Sequence, residues 1–76
     1  MPRFFFDVRQ DDGLTSDVEG EELSSLDAAV REAALAAIHL AKELLSISRS
    51  TLVIEVRDEQ GRKILRATVM LQVERL

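Results

Sequence analysis

The sequence predicts a two-layer α+β sandwich, in which one helix packs on a small, mainly antiparallel sheet of three or four strands. Both ends of the chain alternate apolar and polar residues, an Ala- and Leu-rich segment without Gly or Pro lies between them, and two glycine-containing turn signals separate the strands. A helix and a sheet that are each apolar on one side bury those sides against each other. The 76 residues predict one domain, 1–76, with the order β-β-α-β-β, or β-α-β-β if the second strand does not form.

Residues 3–9 predict the first strand, because Phe4, Phe6 and Val8 alternate with residues that point to the other face. The acidic Asp-Gly pair at 12–13 predicts a tight hairpin, since such pairs supply the positive-φ positions of its turn. The polar residues 14–18 that follow predict a short strand at the edge of the sheet.

The helix is predicted over residues 25–46, with Ser24 as N-cap and Asp27 returning a bond to the cap. At 100° per residue, an apolar stripe faces the sheet while Leu35 and His39 face water. The alanines of this stripe predict an unusually close approach between helix and sheet. The stripe comprises Leu26, Val30, Ala33, Ala37, Ala41 and Leu44.

Residues 51–57 and 63–73 predict the last two strands, because both alternate apolar and polar residues. Between them the sequence predicts a four-residue turn, 58–61, in which Gly61 takes the left-handed conformation. A turn with an even number of residues keeps the apolar residues of both strands on one face. We expect these apolar residues to form the core with the helix.

The composition excludes several classes of protein. The chain has no cysteine, so it forms no disulfide, thiolate zinc site or cysteine nucleophile. Its net charge of −4 is unlike that of most nucleic-acid-binding domains. No apolar run approaches the ~20 residues of a membrane span, and the first residues do not resemble a signal peptide. These features predict a cytoplasmic protein without membrane contact.

The sheet face opposite the helix is predicted to carry apolar residues among its charges. Exposed apolar groups of this kind are typical of interfaces, and a second copy of the same chain is the simplest partner. The sequence therefore predicts a non-enzymatic interaction or structural module, either a homodimer or bound to another protein. The predicted interface residues are Phe5, Val53, Ile64 and Met70.

No combination of residues predicts catalysis, cofactor binding or a metal site. His39 is the only histidine and has no nucleophile or second ligand at a suitable spacing. The acidic segment 11–22 is an alternative, weaker candidate for binding a hard cation. The other alternative is a nucleic-acid-linked regulator that docks through the basic hairpin 57–66, which contains Arg57, Arg62, Lys63 and Arg66.

Three segments carry a resemblance to a known family. They are Met1-Pro2-Arg3-Phe4-Phe5-Phe6-Asp7, the segment 17–23 (DVEGEEL), and Val56-Arg57-Asp58-Glu59-Gln60-Gly61. They resemble M-P-R-[YF]-F-F-D, D-x-x-G-x-E-L and V-x-D-E-x-G in very short α-proteobacterial proteins that form a domain-of-unknown-function family. The resemblance covers nearly the whole chain. It implies a stand-alone cytoplasmic protein, with neither an activity nor catalytic residues assigned.

Overall fold

One helix packs against one face of a five-stranded antiparallel sheet, which confirms the predicted α+β sandwich. The structure, a computed structural model, describes residues 1–10, 13–42 and 49–76. In chain order the elements are β1 (Arg3–Gln10), β2 (Gly13–Thr15), β3 (Glu21–Glu22), α1 (Leu26–Ala41), β4 (Arg49–Arg57) and β5 (Lys63–Gln72).

The sheet has the order β2-β1-β4-β5, with β3 also paired to β1. β2 pairs with the end of β1 through Gln10↔Gly13, and β3 pairs with its start through Arg3↔Glu22. The predicted second strand is therefore shorter than expected, and the two-residue strand β3 was not predicted. Gly13 lies within β2, so it is a strand residue and not the turn residue that was predicted. Asp11 and Asp12 lie outside the described residues.

The core lies between β4 and the alanines of α1. The inward side chains of β4 are fully buried, as Leu52, Ile54 and Val56 each have no exposed surface. They contact a helix face made of small residues, because alanine lets a helix approach a sheet of large branched side chains closely. That face consists of Ala29, Ala33 and Ala37, and Phe4 of β1 completes the buried core.

The orientation of α1 about its own axis differs from the prediction. Val30 was expected in the core but is 49% exposed, whereas Ala29 is fully buried. The N-cap is Ser25, whose Oγ accepts a hydrogen bond from the Ala28 N–H at 3.1 Å, and not Ser24. The last predicted helical residues, 43–46, lie outside the described residues. The helix is rotated toward its smallest side chains because close packing on β4 favours them.

The hairpin between β4 and β5 keeps its apolar residues on one face as predicted, but its turn is longer than the predicted four residues and its register differs. Five residues, 58–62, connect the strands, and a bulge follows at Ile64 between the pairs Arg57↔Lys63 and Val56↔Leu65. The odd connection and the extra residue compensate each other, so the apolar residues of β5 still face α1. Gly61 adopts the predicted positive φ, +83°.

Candidate interaction surface

Charged side chains dominate the outer face of the sheet, opposite α1. The pairs Asp7↔Glu55 and Glu55↔Arg66 align the outward residues of three strands into rows across this face. Among the described outward side chains of β1, β4 and β5, five are basic and only two are acidic. These are Arg3, Arg9, Arg57, Lys63 and Arg66 against Asp7 and Glu55.

Glu55 lies at the centre of one group of charges. It is only 5% exposed, and its carboxylate accepts hydrogen bonds from Arg66 at 2.9 Å and from Arg9 at 3.2 Å. The Lys63 Nζ is 3.7 Å away. The Arg66 hydrogen bond, together with the charges of Arg9 and Lys63, holds the pKa of Glu55 below its ordinary value although burial opposes this. Glu55 therefore stays ionised and holds the basic residues of both neighbouring strands together.

Arg57 links the sheet to the segment that follows β2. Its Nε donates to Asp7 Oδ2 at 2.8 Å, and its Nη2 donates to the backbone oxygen of Asp17 at 2.7 Å. The guanidinium also lies 4.7 Å from the centre of the Phe5 ring, within the range of a cation–π contact. Arg57 is therefore an internal structural contact and covers Phe5.

Between β2 and β3, the Asp17 carboxylate accepts a hydrogen bond from β1 that a neighbouring strand would otherwise accept. Its carboxylate accepts hydrogen bonds from the backbone N–H groups of Phe6 (3.1 Å), Glu19 (3.1 Å) and Gly20 (3.0 Å). Its own N–H donates to Asp7 Oδ1 at 2.9 Å. Burial alone would raise the pKa of Asp17, but these N–H groups and the charge of Arg57 together lower it. Asp17 thus remains an acceptor at neutral pH and fixes the chain against β1.

Gly20 allows the chain to pass close over the start of β1. Its φ is +72°, and a Cβ at this position would lie 2.8 Å from Phe5 Cε2 and 2.9 Å from Arg3 Cγ. Arg3 in turn donates to the Glu19 backbone oxygen and to Glu22 Oε1, each at 2.8 Å. Only glycine satisfies both the backbone conformation and the space available.

The four residues predicted as an interface do not form one bare apolar patch. Phe5 lies half-buried beneath Arg57, and Val53 lies half-buried between its cross-strand neighbours Arg9 and Thr68. Met70 is 63% exposed and Ile64 37% exposed, and both belong to β5. The exposed apolar residues of this face are therefore found on its last strand.

The basic side chains of the hairpin 57–66 are ion-paired with acidic neighbours. Arg57 pairs with Asp7 at 2.8 Å, and Arg62 pairs with Asp58 at 3.0 Å. The remaining two basic residues of the hairpin pair with Glu55, as described above. Asp58 also accepts the backbone N–H of Arg62, which is the main cause that lowers the pKa of Asp58. Because Lys63 and Arg66 share Glu55 with Arg9, this face keeps an excess of positive charge, although each of these cations already has an acidic partner. Nucleic-acid docking stays a prediction without a supporting observation.

The other candidate groups are also accounted for in the described residues. Asp17, in the acidic segment, binds backbone N–H groups, and Glu22 binds Arg3. No group of three or more His, Asp or Glu residues in the described ranges is arranged to hold a metal ion. His39 is exposed on α1. Within residues 1–10, 13–42 and 49–76, no helix has the length and apolar character needed to cross a bilayer.

The side of the molecule beyond β5 combines an open strand edge with exposed apolar residues. No strand in the described part of the chain pairs with the outer edge of β5, and its inward residues are only half-buried. The helix α1, which packs on β4 and β5, exposes residues spaced by four along its length. We call this row the α1 ridge: Leu26, Val30, Ala34 and Ile38.

Sequence reasoning missed the ridge because the helix is apolar over more than one face. An arc this wide does not by itself indicate which part faces the sheet. A signal was available in residue size: Val30 and Ile38 are large, whereas the neighbouring row Ala29, Ala33 and Ala37 is uniformly small. Close helix–sheet contact favours the small row.

Fold and surface together define a class: a single-helix α+β domain whose charged outer sheet face is internally ion-paired. The chain belongs to a family described as Domain of unknown function (DUF6894), whose family model matches residues 3–70. This confirms the predicted membership of a domain-of-unknown-function family. No curated protein and no solved structure matches the chain significantly.

Proposed function

We propose that this protein is a non-enzymatic interaction module that forms a homodimer by pairing the open edge of β5 with the same edge of a second copy. One observation carries the proposal: β5 has ten residues and, in the part of the chain that the structure describes, one unpaired edge. Such an edge presents a row of free N–H and C=O groups that can pair with another strand.

The backbone pattern identifies which groups point outward. The Phe6 N–H donates to Asp17, so the backbone N–H and C=O groups of Phe6 point away from β4. In an antiparallel sheet, consecutive residues direct their N–H and C=O groups to alternate sides. Val56 pairs with Phe6, and Leu65 pairs with Val56, so this alternation can be followed across the sheet. It places the N–H and C=O groups of Arg66, Thr68 and the other even-numbered residues of β5 at the open edge.

A two-fold axis through Ala67 gives a register in which the side chains of two β5 strands are compatible. Ile64 then lies opposite the partner's Met70, and Arg66 lies opposite the partner's Thr68. Directly opposed residues on one face contact each other, and opposed like charges destabilise. An axis through Arg66 would instead place two guanidinium groups opposite each other. The Ala67 register brings together the two apolar residues that the outer face leaves exposed.

Charge also favours the edge of the sheet over its outer face as the interface. Two outer faces stacked on each other would bring together two surfaces on which basic side chains outnumber acidic ones by five to two. Edge pairing leaves these charges in solvent, where salt screens them. The interface predicted from Phe5, Val53, Ile64 and Met70 is therefore proposed in a narrower form that retains Ile64 and Met70.

Sedimentation equilibrium over a hundredfold concentration range tests the proposal. We expect a doubling of mass for the wild type and at least a tenfold weaker dimer for Met70→Glu, because a carboxylate would replace an apolar contact beside the joint. Val18→Glu is the matched control, since Val18 is exposed and lies next to Asp17, away from β5. A wild type that stays monomeric throughout, or equal weakening by both variants, would overturn the proposal.

A further inference from the structure

We infer that the α1 ridge forms the second half of this interface and packs antiparallel against the same ridge of a second copy. This inference rests on the proposed β5 dimer. The ridge is exposed along its whole length: Leu26 is 52% exposed and Ile38 62% exposed. Residues spaced by four form one of the surface ridges through which helices pack together.

Topology places the ridge on the open side of the sheet. β3 and β4 both run antiparallel to β1 and therefore parallel to each other, and α1 connects them across β1. Such crossovers are right-handed in almost every known case. Seen from the N-terminus of a helix, each residue lies clockwise of the residue before it. In a right-handed crossover, the residues that directly follow the buried alanines therefore point away from β1 and toward β5. Val30 and Ala34 each follow a buried alanine by one residue, and Ile38 does the same.

Burial on the two flanks of α1 agrees with this placement. The flank opposite the ridge, Ala28, Glu32 and Ala36, is half-buried. It faces the side of β1, where Leu23 and Phe6 pack against the core. The ridge has no such neighbour among the described residues. A partner is therefore needed only on the β5 side.

The distance between the two helices in such a dimer suits direct packing. α1 packs against both β4 and β5, and we take its axis to lie midway between them. Strands in a sheet are about 4.8 Å apart. When two β5 strands pair, the two helix axes are therefore two strand spacings apart, about 9.6 Å. This distance is within the roughly 8–10 Å at which helices pack.

The two-fold axis makes the helix pair antiparallel and matches its side chains. With Ala34 at the crossing point, Val30 packs against the partner's Ile38, and Ile38 against the partner's Val30. The smallest residue of the ridge then lies where the helices are closest, and the larger residues lie on both sides. One arrangement satisfies both the pairing of β5 and the packing of α1 when Ala34 lies at the level of Ala67 along the sheet.

Two experiments test the ridge. In the first, Ile38→Glu is expected to weaken the dimer at least tenfold in sedimentation equilibrium. Leu35→Glu is the matched control and is expected to change the dissociation constant less than twofold. Leu35 is similarly exposed, but one residue past Ala34 it points 100° further round the helix. Circular dichroism confirms that both variants keep the helix.

In the second experiment, a single cysteine is introduced into this cysteine-free chain. Ala34→Cys is expected to form a covalent dimer under mild oxidation, because closely packed helices bring facing Cα atoms into the 4.4–6.8 Å range of disulfides. Leu35→Cys is expected to remain mostly uncrosslinked. A monomeric wild type would overturn the β5 dimer and the ridge together. A dimer that Met70→Glu weakens, but that Ile38→Glu leaves intact and Ala34→Cys does not crosslink, would overturn the ridge alone.

Discussion

The two edges of the sheet differ in how they are completed. At β1, the segment from β2 to β3 covers the edge, and the Asp17 carboxylate accepts the Phe6 N–H where no strand residue can reach it. At β5, no strand of the described chain covers the edge, and the flanking side chains are apolar. Hydrogen bonds within the monomer close the β1 edge. The β5 edge keeps exposed apolar side chains, and burying them would stabilise the protein.

The two edges also differ in how strictly they restrict the residue type at each position. Asp17 and Gly20 each meet a demand that few residue types meet: an acceptor for several N–H groups, and a positive φ in a confined space. On β5 and the α1 ridge, the demands are only apolar character and size. We therefore expect substitutions at the first edge to reduce stability, and substitutions at the second to reduce association.

Gly20→Ala disrupts the closed edge and is expected to have the largest effect, a loss of about 2–5 kcal/mol in the free energy of unfolding. A left-handed conformation costs a residue with a Cβ about 1–2 kcal/mol, and displacement of packed neighbours adds about 1–3 kcal/mol. The new Cβ would lie 2.8 Å from Phe5 Cε2 and 3.0 Å from the Phe4 backbone oxygen. Urea unfolding followed by circular dichroism measures the loss.

Gly61→Ala is the control for this substitution. Gly61 also has a positive φ, +83°, but no atom lies within 4 Å of the position of its Cβ. Only the conformational cost applies, so a loss of about 1–2 kcal/mol is expected. Equal losses for Gly20→Ala and Gly61→Ala would show that the close approach over β1 contributes nothing.

Ala33→Leu and Ala34→Leu together compare the buried and exposed rows of α1. Ala33→Leu is expected to lower the free energy of unfolding by about 1–3 kcal/mol. Ala33 has no exposed surface, so three additional carbons must displace α1 from β4. Ala34→Leu adds the same carbons one residue later, on the exposed ridge, and should change monomer stability by less than about 0.5 kcal/mol. Both are measured at concentrations where the wild type is monomeric. A greater loss for Ala34→Leu would place the ridge in the core.

The sequence predicted the helix, the long strands and the turn at Gly61 because these elements depend on local patterns. Alternation determines which faces of β1, β4 and β5 are apolar, and an uninterrupted helical segment indicates α1. The short strand β3 could not be predicted, because Glu21 and Glu22 carry no alternating pattern, and their pairing with β1 depends on a segment distant in the sequence. The bulge at Ile64 was missed because it leaves the pattern on both sides unchanged.

The candidate surface was predicted less well, because it depends on contacts between distant segments. Phe5 occupies an outward position as expected, yet Arg57 from β4 covers it. Val30 fits the predicted stripe, yet the size of its neighbours rotates it outward. Ile64 and Met70 remain exposed because they belong to the edge strand, a fact that follows from strand order and cannot be derived from alternation.

Acid is expected to have the smallest effect, and it separates the two regions by the kind of contact they use. The pKa values of Asp17, Glu55 and Asp58 are lowered in the folded protein, so the unfolded chain binds protons more readily. Their contribution to stability is therefore fully present above their ordinary values, 3.8 for Asp and 4.5 for Glu, and is lost as the pH falls through the lower folded values.

Urea midpoints measured between pH 7 and pH 2.5 should fall with acid, and less steeply for Asp17→Asn and for Glu55→Gln than for the wild type. Salt then distinguishes the two carboxylates. At 1 M the screening length is about 3 Å, which weakens the pairs of Glu55 with exposed cations but not the hydrogen bonds of Asp17 to backbone N–H groups. The difference between wild type and Glu55→Gln should shrink in salt, while the difference between wild type and Asp17→Asn persists. If salt reduced both differences equally, Asp17 would act through charge alone, and its hydrogen bonds would not be what closes the β1 edge.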